Sequence, residues 1–376
     1  MADVVALDVE GGARFVDLLR RIWDAGAAVA PLDPNLPQLA RQRVLAAIAP
    51  TGVMDETGAV TPCDGGRPTD DGDALVIATS GTTGDPRGVV LTHDALAAAA
   101  YASATALGIA PDVRWLACLP LHHIGGFSAV TRALVTGAGL EVHPRFDPDA
   151  VAEAARRGAT HVSLVATALR RIDAAPFRRI LLGGSAPPAS LPPNVVTTYG
   201  LTESGAGVVY DGLPLNGVGL RIGADDHIEL SGPTMLRCYR DGVDPKDERG
   251  WFRTGDLGRV DPSTGLLTVW GRADDVVITG GEKVWPDEVE AVLSRHPGVR
   301  EVAVIPRDDA EWGQVVTAVV VPMVPTDPPT LDDLRAMARE SLPRHCAPKR
   351  LELATSLPRS RLGKVQRRLL RTPPPG

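Results

Sequence analysis

Cysteine is scarce and scattered in this chain. Cys63, Cys118, Cys238 and Cys346 show no CxxC or Cys/His ligand spacing, which argues against a disulfide framework and a structural zinc site and suits a reducing cytoplasm. A basic excess is also missing. Lys and Arg together number 39 against 46 Asp and Glu, for a net charge of −7, so the basic stripe of a nucleic-acid surface is not there, although a nucleotide can still bind locally. No stretch approaches the roughly 18 strongly apolar residues of a membrane-spanning helix. The N-terminal residues include Asp3 and Asp8 and lack a basic region followed by an apolar core, so neither a secretory leader nor a membrane span is expected. Internal repeats and low-complexity blocks are absent apart from the closing PPPG, which reads as a frayed end. The remaining 376-residue composition, 44% hydrophobic and 23% charged, is that of a globular protein with core material for two or more domains.

The most informative stretch is IATSGTTGDPRGVVLTH, residues 77–93. Ala74 to Ala78 form a short apolar run that reads as a buried strand, and the small residues Thr79 to Gly84 cannot continue it, so the chain turns. Ser80, Thr82 and Thr83 stand beside Gly81 and Gly84, so backbone N–H and side-chain O–H groups can converge on an anion, with Arg87 adding fixed positive charge. The order GxxxxGK[ST] is missing, which argues against a Walker-type kinase or GTPase loop. The bland alternative is a Gly/Thr-rich surface turn.

Residues 1–73 are the least readable, with helices expected near 14–25 and 36–48 on either side of PLDPNLP. Thr92 can cap a helix running through HDALAAAAYASATAL to Gly108. Strand-like runs at 115–119, 140–142, 161–165, 179–182 and 195–198 then alternate with helical stretches such as 147–157, which predicts an α/β fold with helices over a largely parallel sheet. Beyond Gly200, short runs at 220–222, 227–231 and 266–270 between Gly/Asp turns suggest a small β-rich subdomain. The last segment reads as a helix over 285–295, strands near 299–306 and 315–321, a helix over 331–341 and a basic tail.

Thr79 to Gly88 resembles, nearly residue for residue, the signature loop of the adenylate-forming acyl-CoA synthetase superfamily, and six further motifs follow in that superfamily's order. LPLHHIGG (119–126) is similar to the loop that closes the acyl pocket, which places His123 against substrate; His122 departs from the aromatic residue common there, so which histidine faces substrate stays open. GGSAP (183–187) resembles the segment flanking adenine and acyl group, with Gly183, Gly184 and Ser185 close to the ring. By the same resemblance TYGLTES (198–204) places Tyr199 and Gly200 at adenine, Thr202 at the α-phosphate and Glu203 on Mg²⁺. The chemistry requires such a set, because ATP's phosphates repel an attacking carboxylate until a hard cation and hydroxyl donors offset their charge.

RTGDLG (253–258) supplies Asp256, implied as acceptor of both ribose hydroxyls, although an Asp in a β-turn is the plain alternative. GRADDVVITGGEKVWPDEVE (271–290) carries Arg272, implied near ribose and α-phosphate, Asp274 as hinge, and Gly280 and Gly281 along a pantetheine channel, where a strand-end bulge would equally use glycines. SRLGKVQRR (360–368) resembles the C-terminal adenylation motif, with Lys364 after Gly363 as its catalytic lysine.

The resemblance covers about Leu75 to Arg368. It implies a large N-terminal domain of α/β layers with a small β-rich subdomain (1–273) that binds ATP and acyl group, followed by a small mobile α+β C-terminal domain (274–376). It also implies ATP, Mg²⁺ and coenzyme A as cofactor and co-substrates, a small carboxylic acid as partner, and leaves a homodimer open. Two departures stand out: the N-terminal region is much shorter than usual, and Arg87 replaces the usual lysine, keeping charge but not its point-like geometry. Within the superfamily, the compact length, LPLHHIGG and TYGLTESGAGVVYDGLPLNGV look most like the 2-succinylbenzoate–CoA ligase family of menaquinone biosynthesis. The alternatives are a ligase for another aryl or medium-chain acid, an inert adenylate binder, or a carrier-loading adenylation domain. A dicarboxylate substrate would need a partner for its second carboxylate, and Arg132, following the histidine loop, is the candidate.

Overall fold

The computed structural model describes residues 1–80, 86–108, 110–188, 190–359 and 365–371. The chain divides into two compact units, Met1–Arg221 with Glu229–Arg253, and Ile222–Ile228 with Thr254–Gly376. The hinge expected at Asp274 is a separate matter, since packing density and pivot position need not coincide.

The first unit holds two seven-stranded sheets. One runs in the order Cys238–Tyr239, Pro86–Thr92, Asp73–Ser80, Ala28–Pro31, Val4–Leu7, Gly52–Met54 and Val60–Pro62. Its hairpin from Asp73–Ser80 to Pro86–Thr92 is antiparallel, with Ile77 opposite Val89 and Thr79 opposite Arg87, and so presents both flanks of the phosphate-loop motif at one strand end. Val4, Ala6, Ala28, Ala30, Ile48, Val76 and Val90 form its buried core. Four of these strands, within residues 1–73, are not apparent from sequence, because three- or four-residue strands with no alternating polar face carry no period to read. The two helices there are Ala13–Asp24 and Gln38–Ile48, close to the expected positions.

The other sheet has the order Leu213–Pro214, Ala206–Tyr210, Val195–Leu201, Arg179–Leu182, His161–Leu164, Arg114–Ala117 and Gly139–Val142. Its pairings from Val195 outward to Gly139–Val142 are parallel, as the β/α alternation predicts, and the edge formed by Ala206–Tyr210 and Leu213–Pro214 is antiparallel. Helix His93–Leu107 begins where Thr92 Oγ1 accepts from Ala95 N (3.1 Å) and ends at Gly108 in the left-handed conformation. Asp147 caps helix Pro148–Arg156 in the same way. Helix Ile124–Thr136 is an addition, because Gly125 and Gly126 in its first turn argue against a helix by propensity.

A four-stranded sheet follows along the chain, Gly219–Ile222, His227–Ser231, Phe252–Val260 and Leu267–Arg272 in that order. The second unit then builds an α+β layer from the hairpin Val299–Asp309 with Gly313–Pro322, the hairpin Val277–Thr279 with Glu282–Val284, and the parallel strand Arg350–Leu353. Helices Pro286–Leu293 and Leu331–Ser341 close its core over Val304, Val316, Ala318 and Val320. Among the described residues, no helix is long and apolar enough to cross a membrane.

Candidate active site

In the first unit the hairpin brings Thr79 and Arg87 side by side, and Thr79 Oγ1 donates to Arg87 O at 3.3 Å. Ser80 pairs with Pro86 across the strand end. Gly81, Thr82, Thr83 and Gly84 lie outside the described residues. Arg87 turns its guanidinium face onto the Tyr239 ring, 3.7 Å from the centroid, and Nη2 pairs with Asp241 Oδ2 at 3.1 Å.

Thr202 and Glu203 sit on a 3₁₀ turn, Thr202–Ser204, at the end of strand Val195–Leu201. Ser204, fully buried, ties that turn down: Leu201 N donates to Ser204 Oγ (2.9 Å), and Oγ donates to Ala206 O (2.8 Å). The pattern of a buried serine next to TE is a readable side-chain turn that motif reasoning passed over. Glu203 O accepts from Leu236 N at 2.7 Å, and Glu203 Oε1 accepts from the Tyr239 hydroxyl at 3.0 Å. Tyr199 and Gly200 lie on the same strand at a bulge. A Cβ on Gly200 would stand 2.0 Å from Ala206 O, so glycine there serves the close approach of the neighbouring strand. Gly183, Gly184 and Ser185 follow strand Arg179–Leu182.

His123 precedes helix Ile124–Thr136, and its ring packs on His122 with centroids 4.5 Å apart. Burial pushes both imidazoles down to about 4, so both are neutral near pH 7. His122 Nε2 lies 3.7 Å from the buried Asp33 Oδ2, which brings the PLDPNLP segment to the histidine loop. Two turns further along the helix Arg132 is only 5% exposed. Its Nη2 donates to Ser128 Oγ (3.1 Å), its Nη1 to Ser163 Oγ (3.4 Å), and its guanidinium carbon lies 4.9 Å from the Trp115 ring centroid. Among the described residues Arg132 has no carboxylate ion-pair partner. Trp115 Nε1 and His161 Nε2, both buried, have no hydrogen-bond partner among the described residues either, and the two rings are 5.1 Å apart.

In the second unit Asp256 and Arg272 are cross-strand partners, and Arg272 Nη1 donates to Asp256 Oδ1 and Thr254 O, each at 3.2 Å. Asp274 lies in the short turn Ala273–Asp275. Gly280 and Gly281 form the two-residue turn joining Val277–Thr279 to Glu282–Val284, both with positive φ (60° and 86°). That hairpin requirement, rather than a bulge, accounts for the glycine pair. Lys364 and Gly363 lie outside the described residues. Just beyond them, Arg367 donates to Asp275 Oδ2 (3.3 Å), to Glu290 Oε2 (2.7 Å) and to Asp287, and Arg371 Nη2 donates to Asp274 O (2.8 Å) and Asp275 Oδ1 (2.7 Å). These carboxylates hold the Arg367 guanidinium well above its ordinary range despite its burial. The basic tail is thus an anchor to the Ala273–Asp275 turn, which composition alone does not disclose.

The model for the AMP-binding enzyme family matches residues 55–227, and that for the AMP-binding enzyme C-terminal domain matches residues 288–364. The chain belongs to the AMP-binding, adenylate-forming enzyme family. Within it, the chain is 39% identical to a probable 2-succinylbenzoate–CoA ligase of Mycobacterium tuberculosis, over 92% of this chain and 96% of that protein. Its fold is similar to that of the o-succinylbenzoate CoA synthetase of Bacillus subtilis in complex with its acyl-adenylate intermediate, with a TM-score of 0.87, 27% identity, and 100% and 89% of the two chains covered. The same Bacillus enzyme in complex with ATP and magnesium ion gives a TM-score of 0.85 at 27% identity, covering 98% and 89% of the chains.

Proposed function

We propose that this protein is an AMP-forming acid–thiol ligase that activates 2-succinylbenzoate with ATP and transfers the acyl group to coenzyme A, a step of menaquinone biosynthesis. The observation that carries the substrate is Arg132, a buried cation with neutral hydrogen-bond partners on the helix that follows the histidine loop. A second carboxylate entering an apolar pocket needs such a charge, since an unpaired buried carboxylate is strongly disfavoured. His122 and His123, neutral at pH 7, would shape the acyl pocket without adding charge that competes with Arg132. Free cysteines suit action in the cytoplasm.

Adenylation is needed because hydroxide or oxide is a poor leaving group from a carboxylate. Once the carboxylate oxygen has attacked the α-phosphorus and pyrophosphate has left, the CoA thiol attacks the mixed anhydride's carbonyl and AMP departs. Thr202 would donate to the α-phosphate, Tyr199 would stack on adenine, and Asp256 with Arg272 would bind the ribose. Magnesium fits the donor chemistry at Glu203: Mg²⁺ keeps several waters and takes one or two carboxylates together with substrate phosphates, so a lone, hydrogen-bonded carboxylate suffices. When bound, Mg²⁺ would offset the charge of the triphosphate.

With Mg·ATP, CoA and 2-succinylbenzoate, the expected products are AMP, pyrophosphate and the thioester in equal amounts. ADP formation would defeat the adenylate mechanism, and AMP release that requires another aryl or a fatty acid would defeat the substrate. Glu203→Gln keeps size and removes charge; adenylation should fall, and raised Mg²⁺ should restore part of it. Full activity at low Mg²⁺ would remove Glu203 as ligand.

A further inference from the structure

Arg87, Tyr239 and Glu203 form one contiguous chain of contacts, although 36 residues separate Glu203 from Tyr239 and 154 separate Arg87 from its ion-pair partner Asp241. Tyr239 is held from both sides. Cys238–Tyr239 pairs antiparallel with Pro86–Thr92, Tyr239 standing opposite Val89. The next residue, Arg240, is buried and anchored by its guanidinium to the carbonyls of Ile48 (2.7 Å), Pro68 (3.1 Å) and Ala49 (3.2 Å). The Tyr239 ring is therefore a fixed platform, with the Arg87 guanidinium 3.7 Å from its centroid and the hydroxyl 3.0 Å from Glu203 Oε1. A carboxylate has only acceptors, so the Tyr239 hydroxyl serves as the donor in this contact.

We propose that Tyr239 is a positioning residue for adenylation: its hydroxyl orients the Glu203 carboxylate toward the cation, and its ring face holds Arg87 beside the phosphate loop. This rests on the reading of Glu203 as the magnesium ligand. A single carboxylate that holds a metal loses orientation easily, and outer hydrogen bonds of this kind are what keep such ligands in place. The arginine at position 87 acquires a reason as well. A planar guanidinium stacks on an aromatic face and keeps for an anion the edge donors that Asp241 does not take, whereas an ammonium offers no such flat contact. Arginine in place of lysine thus comes with the ring that orients it.

Tyr239→Phe removes the hydroxyl and keeps the ring, and Tyr239→Leu removes both. The measurements are the Mg²⁺ concentration for half-maximal pyrophosphate release, and calorimetric binding of ATP with and without Mg²⁺, with thermal melts confirming folding. Tyr239→Phe should weaken Mg·ATP binding and raise the Mg²⁺ requirement by about 10- to 100-fold, while binding of metal-free ATP stays unchanged. Tyr239→Leu should weaken metal-free ATP as well, because Arg87 loses its platform. The double variant Tyr239→Phe, Glu203→Gln should be no worse than Glu203→Gln alone, since the hydroxyl acts through that carboxylate. An unchanged Mg²⁺ requirement in Tyr239→Phe, with Glu203→Gln raising it, overturns the positioning role and leaves the metal assignment standing. An unchanged requirement in both variants overturns the assignment of Glu203, and this proposal with it.

Discussion

Lys364→Ala is expected to lower formation of the acyl-adenylate by a factor of about 10² to 10³, roughly 3 to 4 kcal/mol in the transition state, while thioester formation from supplied acyl-adenylate stays close to normal. Adenylation requires a cation on the phosphates in a closed, dry site. Thioester formation requires an open path for the thiol. One rigid arrangement serves both poorly, so we propose that the two half-reactions use different parts of the C-terminal segment, Lys364 for the first and the Gly280–Gly281 turn for the second. Three positions beyond the lysine, Arg367 is held by Asp275, Asp287 and Glu290. Asp274→Pro should produce the opposite split, because a fixed φ within the turn Ala273–Asp275 obstructs the pivot after adenylation. Measuring the half-reactions separately decides the matter. Equal loss of both steps in each variant, with folding preserved, is the result that ends this division of labour.

The second large effect is expected at Arg132. Arg132→Leu should raise KM for 2-succinylbenzoate by about 30-fold or more, since removing one partner of a buried charge pair costs about 2 to 5 kcal/mol. KM for ATP should not move, and acids without the second carboxylate should lose little. The guanidinium lies between Ser128, Ser163 and the Trp115 ring. Leucine fills much of that space, and a melt close to that of the unmodified protein confirms that the helix still packs. Arg132→Lys tests geometry apart from charge, because an ammonium cannot repeat the planar fork. An unchanged KM for 2-succinylbenzoate in Arg132→Leu transfers the task to another group.

The site residues were legible to different depths. Motif order identified Thr202 and Glu203, which sit on a turn at the end of strand Val195–Leu201, and Asp256, which lies inside strand Phe252–Val260 rather than in a β-turn. Glycine was the least transparent residue in the same motifs. Gly200 is required by a neighbouring strand, and Gly280 with Gly281 by a hairpin, so their presence in a motif does not by itself speak of a ligand. Tyr239 carried no signal in composition, because it matters only through the partner it reaches.

The sequence by itself determined what depends on neighbours within a few residues. Thr92, Asp147 and Thr330 accept hydrogen bonds from N–H groups three positions ahead, and Gly108 ends its helix in a conformation few other residues adopt, so these boundaries follow from local chemistry. The apolar strand runs and their alternation with helices are equally local, and they determined the α/β class. Only the tertiary structure decided which distant side chains meet. Arg87 reaches Asp241, Tyr239 reaches Glu203, and Arg367 reaches Asp275 across 154, 36 and 92 positions. Such pairs depend on strand order and register, where a slip of one residue sends a side chain to the opposite face of the sheet. No local propensity encodes that choice, because it is made by the burial of the whole sheet against its helices.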